Sequence, residues 1–126
     1  LKRDLIINLN QVEDNIKEKK FCLVDARGEN RFKGLVEEPR KNLKKGNIKG
    51  SKNLPFSKII NSENNTFKKK EELEKIFLNQ DINLNEKLAF SCGSGITACV
   101  LGLASAVVSN KLPVIYDGSW AEYGLK

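Results

Sequence analysis

The stretch Phe90-Ser91-Cys92-Gly93-Ser94-Gly95-Ile96-Thr97-Ala98-Cys99 decides how this chain is read. It opens in a short apolar run, Leu88-Ala89-Phe90, of the kind that forms a buried strand. One cysteine follows, then two glycines flanking a serine, then an apolar segment of helical character from Thr97 to Ser109. That order puts a thiol at a strand-to-helix turn. The glycines let the backbone curl so that successive N–H groups face inward. The positive end of the following helix points at the same spot. Such a setting favours thiolate over thiol, which makes Cys92 the candidate nucleophile. The backbone N–H groups from Gly93 through Gly95 and Ile96 to Thr97 form a cradle able to stabilise an anionic sulfur. The Ser94 hydroxyl can hydrogen-bond a thiol or carry a proton.

Working outward, the pattern predicts an α/β domain with a mostly parallel central sheet and helices on both faces. Asn10-Gln11-Val12-Glu13 reads as a helix cap with a reciprocal glutamate, opening a helix to about Lys19. Residues 21–25 read as a strand ending in a carboxylate, 52–54 as a short strand, and 113–116 as the last strand. Residues 57–61 and 71–80 read as helices separated by a polar tract. Residues 27–49 read as a long loop, and a loop of that length in a small domain is usually functional. Thr97–Ser109 is apolar nearly all round, as expected of a helix buried against a sheet. Ligands should sit beyond the carboxyl ends of the strands, where Asp25, Cys92 and Asp117 all fall.

The chain has 126 residues, enough for one domain with one core. The formal net charge is +6, carried mostly by lysines in runs with glutamate and asparagine. Such runs read as solvated faces. No aromatic interleaving or binding motif accompanies them, so nucleic acid is not an expected partner. No membrane segment is evident. Three cysteines do not suggest a disulfide framework, and a reducing, cytoplasmic setting is the simpler reading. No metal-ligand spacing appears, and no cofactor is called for. Cys22 and Cys99 read as small buried hydrophobes. Three of the few arginines, Arg27, Arg31 and Arg40, cluster in the long loop. In a lysine-rich chain this suggests a need for the planar fork, either to bind carboxylates or to pair with Asp25, Glu37 or Glu38.

The cysteine loop resembles the active-site loop of the 3-mercaptopyruvate sulfurtransferases, a branch of the rhodanese superfamily. Further segments are similar to that family in the same order. They are Val24-Asp25-Ala26-Arg27, Asn30-Arg31-Phe32-Lys33-Gly34 with Glu38-Pro39-Arg40, Gly46–Phe56, and Tyr116-Asp117-Gly118-Ser119-Trp120 with Glu122-Tyr123-Gly124. Asn47 and Lys49 depart from the family's usual histidine and proline in a turn. The resemblance implies that Arg31 and Arg40 anchor a substrate carboxylate. Arg27 is read as structural with Asp25, and Asp117 and Trp120 as supports of the loop. It also implies a tandem protein of which this chain is the C-terminal, cysteine-bearing half. A sequence opening at Leu1 without methionine suggests the same, and an upstream targeting segment would permit a mitochondrial location. In the family, the serine connects cysteine to a histidine. This chain has no histidine, and the resemblance assigns it to the other half.

The expected activity is transfer of sulfane sulfur from 3-mercaptopyruvate through a Cys92 persulfide to a thiol or thioredoxin-like acceptor, or to cyanide, with release of pyruvate. Thiosulfate as donor is the closest alternative, and a partner-binding module without catalysis is another. A cysteine phosphatase would need an arginine six residues after the cysteine, where this chain has Ala98.

Overall fold

The computed structural model describes residues 5–64, 66–93 and 96–125. Five strands form one parallel sheet in the order β1-β7-β6-β2-β3. They are β1 (Ile6–Ile7), β2 (Cys22–Asp25), β3 (Lys52–Asn53), β6 (Leu88–Ser91) and β7 (Val114–Tyr116). β6 is central, pairing Phe90 with Val24 on one side and with Ile115 on the other. All four of its residues are buried, as a strand covered on both faces requires.

Alternate residues of each strand point to opposite faces, so the core has two parts. On one face Val24, Phe90 and Ile115 pack with Leu73 and Phe77 of α3 (Lys70–Asn79) and with Ala98, Leu101 and Ala104 of α4 (Ile96–Ser109). On the other, Leu23, Ala89, Val114 and Tyr116 pack with Val12 of α1 (Leu9–Glu18) and Trp120 of α5 (Ser119–Tyr123). The expected α/β sheet with helices on both faces is the fold observed.

Several local expectations are corrected. The α1 cap is Asn8, two residues before the expected position. Its side chain accepts from the Gln11 N–H, and the Gln11 side chain accepts from the Asn8 N–H, both at 2.9 Å. Residues 57–61 are not one helix. A 3-10 turn at Phe56–Ile59 runs into β4 (Ile60–Asn61), which pairs antiparallel with β5 (Thr66–Phe67). The long loop contains a single helical turn, α2 (Glu29–Phe32). Strand β1 and helix α5 were not anticipated. Both are too short to show a period in sequence; β1 is defined by its pairing with β7, and α5 by the packing of Trp120 in the core with Tyr116 and Val114. Helix α4 has one solvent face despite its apolar composition, with Ile96, Leu103 and Val107 exposed. Its inner face is close-packed at Gly102, where an added methyl would sit 2.8 Å from Pro113 Cβ.

Candidate active site

Cys92 follows the last residue of β6, at the carboxyl end of the central strand, and is 2% exposed. Its backbone is pinned from α5. A helix N-terminus carries N–H groups with no partner inside the helix. Here two of them are used on the cysteine segment: Trp120 N–H donates to the Cys92 carbonyl at 2.9 Å, and Ala121 N–H to the Gly93 carbonyl at 2.8 Å. The Cys92 N–H in turn donates to Ser119 Oγ at 3.0 Å, and that hydroxyl donates to the Tyr116 carbonyl at 2.8 Å. Ser119 is fully buried and holds φ at +50°. A side chain is kept in this disfavoured region because its hydroxyl ties the end of β7 to the nucleophile.

Ser119 is a residue that sequence reading missed. The Asp117 side chain is exposed and makes no hydrogen bond to the described residues. Trp120, whose backbone N–H meets the Cys92 carbonyl, also contacts the long loop, its Nε1–H donating to the Lys44 carbonyl at 2.8 Å. Ser94 and Gly95, both expected in the cradle, lie outside the described residues.

The arginines separate by environment. Arg27 is fully buried. Its Nε lies 2.9 Å and its Nη2 2.8 Å from Asp25 Oδ2, its Nη1 lies 3.2 Å from Glu38 Oε2, and its Nη2 donates to the Gly46 carbonyl at 2.6 Å. The guanidinium stacks 4.5 Å from the Trp120 ring centroid. Each of its three guanidinium nitrogens thus has a protein acceptor. Arg31 is part-exposed, with Nη2 2.8 Å from Glu38 Oε1 and Nε 3.3 Å from Glu38 Oε2. Arg40 is exposed.

Arg31, Arg40, Cys92, Gly93 and Thr97 line one open cavity of about 240 Å³, together with Glu38, Pro39 and Leu43. Five of the expected site residues therefore meet in space; Ile96, expected to contribute its backbone N–H, is exposed and is not among the residues lining the cavity. Glu38 was singled out in sequence only as an ion-pair partner. The signal that marks it is the acid retained beside Pro39 between two arginines.

The other cysteines differ from expectation. Cys99 is exposed on α4 rather than buried. Partial burial still pushes its thiol up, and the nearby Cys92 and Asp117 add to the effect. Cys22 is half-buried at the amino end of β2, the opposite end of the sheet from Cys92, and desolvation raises it against the opposing pull of Lys52. Among the described residues, no group of three or more metal-ligating side chains forms, and no helix is long and apolar enough to cross a membrane.

A family model for the rhodanese-like domain matches residues 8–126. The chain is 43% identical over 119 residues to thiosulfate/3-mercaptopyruvate sulfurtransferase 2 of Arabidopsis thaliana, covering 94% of this chain and 34% of the relative. It is 37% identical over 124 residues to the thiosulfate sulfurtransferase of Rattus norvegicus, covering 98% of this chain and 41% of the relative. A crystal structure of a 3-mercaptopyruvate sulfotransferase from Escherichia coli superposes with a TM-score of 0.79 at 29% identity, covering 95% of this chain and 44% of that one. The chain thus spans less than half the length of these proteins.

Proposed function

The chain belongs to the rhodanese-like family, and from that premise we propose that it transfers sulfane sulfur from 3-mercaptopyruvate to a thiol through a persulfide on Cys92. The observation that carries the reading is the shared cavity, in which two arginines stand beside the nucleophile.

The Cys92 thiolate attacks the donor sulfur. A sulfur–sulfur bond forms, the carbon–sulfur bond breaks, and the electron pair leaves on the enolate of pyruvate, which takes up a proton. An acceptor thiolate then attacks the outer sulfur, releasing its own persulfide and restoring the Cys92 thiolate. This is covalent catalysis in two half-reactions, with ping-pong kinetics. Arg31 and Arg40 hold the donor carboxylate during the first step, and the loop's N–H groups stabilise charge on sulfur. Ser94 assists proton movement.

Thiosulfate is the second reading, favoured by relatives that bear that name. The charge arrangement is read against it: Gly93 and Ser94 are uncharged, so the cations available to a donor are Arg31 and Arg40, which line the cavity with Cys92. Thiosulfate carries two negative charges to an anionic nucleophile, whereas mercaptopyruvate keeps its one charge on a carboxylate within reach of the arginines.

The test is intact-mass measurement of the full-length protein after exposure to each donor, followed by kinetics. The expected result is one added sulfur mapped to Cys92, abolished in Cys92→Ser, and a kcat/KM higher for mercaptopyruvate than for thiosulfate. A persulfide that survives Cys92→Ser refutes the nucleophile. A preference for thiosulfate refutes the donor.

A further inference from the structure

Resting on that reading, we propose that Glu38 is a positioning residue that seats the Arg31 guanidinium against Gly93 and thereby selects donors that carry a carboxylate. Glu38 is buried, and its carboxylate is shared: Oε2 lies 3.2 Å from Arg27 Nη1 and 3.3 Å from Arg31 Nε, while Oε1 takes Arg31 Nη2 at 2.8 Å.

The two arginines are not equivalent. Arg27 has a fully buried side chain, clamped by Asp25, the Gly46 carbonyl and the Trp120 ring. The Arg31 side chain is 31% exposed, and its two ion-pair contacts are both to Glu38. Position therefore passes one way, from the fixed Arg27 through Glu38 to Arg31. Trp120 stands at the head of this chain of contacts and also holds the Cys92 carbonyl through its N–H. One side chain thus references both the nucleophile and the carboxylate anchor.

Gly93 supplies the seat. A methyl group on it would lie 2.8 Å from Arg31 Nη2, closer than packed atoms allow. The absent side chain gives the guanidinium room beside the nucleophile. Glu38 occupies the Nε–Nη2 edge of Arg31, so Nη1 and the second Nη2 hydrogen remain to meet a substrate carboxylate. The result is an anion anchor at a set distance from the reacting sulfur, suited to a donor whose charge and sulfur sit on separate atoms.

The experiment compares mercaptopyruvate with mercaptoacetone, the same α-mercaptoketone without the carboxylate, in the full-length protein. Glu38→Asp keeps a negative charge beside Arg27 but shortens the link by one methylene, and Glu38→Gln keeps the length but removes the charge. Both variants should lower kcat/KM for mercaptopyruvate more than tenfold, chiefly through KM, and change it for mercaptoacetone less than threefold. In an Arg31→Ala background either change should add less than twofold, because Glu38 acts through Arg31. If Glu38→Gln does not fold, Glu38→Asp decides alone. Equal loss with both donors, or a full Glu38 effect without Arg31, overturns the inference while leaving the functional reading intact. Wild-type protein that takes no sulfur from mercaptopyruvate overturns both.

Discussion

Replacing Arg27 with methionine tests whether the buried ion network holds the long loop to the sheet. Methionine matches the aliphatic stem but supplies none of the donors. The change strips Asp25 of its side-chain partner at 2.8–2.9 Å and frees the Gly46 carbonyl bonded at 2.6 Å. It also removes the cation from the Trp120 face. Glu38 keeps Arg31, so one carboxylate of the two is stranded. Breaking a buried pair by deleting one partner costs about 3–5 kcal/mol, because the remaining charge is left uncompensated. Unfolding entropy is about 2 cal/mol/K per residue, so a chain of this length loses about 4 °C for each kcal/mol. The expected fall in Tm is therefore about 12–20 °C. Arg27→Lys keeps the charge but cannot reach acceptors spread around a planar fork, and it should fall between wild type and Arg27→Met. Scanning calorimetry and urea unfolding of the three proteins measure this directly. An Arg27→Met Tm within 4 °C of wild type refutes the reasoning, for it would mean that the buried carboxylates are compensated by something other than Arg27.

Two further outcomes follow from the packing and the titration of the fold. Gly102→Ala would raise helix propensity by up to about 1 kcal/mol on an open helix. Here the new methyl meets Pro113 Cβ at 2.8 Å and Ile115 Cδ1 at 3.2 Å, so urea unfolding should show a net loss of about 1–3 kcal/mol, and any gain in stability refutes the overpacking. Tyr116 is buried, and its hydroxyl donates to Glu122 Oε1 at 2.7 Å. Desolvation first, then Glu122, pushes the phenol above its ordinary value, so the neutral form stabilises the fold below about pH 10 and that contribution is lost as pH rises beyond it. Tyr116→Phe should therefore cost about 1 kcal/mol at pH 8, with the difference from wild type shrinking above about pH 10; a difference constant from pH 8 to 11 in urea melts would refute the assignment.

What the sequence determined by itself is what a local pattern can encode. The run Leu88–Ser91 with its glycine-flanked cysteine and apolar successor specifies strand, turn and helix without reference to the rest of the chain, and the structure has strand and helix within a residue of those bounds. The readings of residues 21–25, 52–54 and 71–80 likewise fall within a residue or two of β2, β3 and α3. An apolar pattern identifies a residue but not its cover: Thr97–Ser109 is apolar nearly all round, as a helix buried against a sheet should be, yet Leu103 and Val107 face solvent.

Tertiary structure alone decided the pairings. The cap at Asn8 and the hairpin of β4 with β5 depend on which of several competing polar groups finds its partner. Asp117 and Ser119 lie two residues apart in the same segment, and only the packing of α5 beside Cys92 brings the Ser119 hydroxyl, with the Trp120 and Ala121 N–H groups, onto the cysteine backbone. Glu38 lies in a loop with no period, 7 residues from Arg31 and 11 from Arg27. No local rule links residues across such a loop. They meet because Trp120, 76 positions from the Lys44 carbonyl it binds, folds the loop back against the sheet. Local propensity acts over a few residues and leaves its mark in sequence, whereas a buried charge network is fixed by where distant segments come to rest.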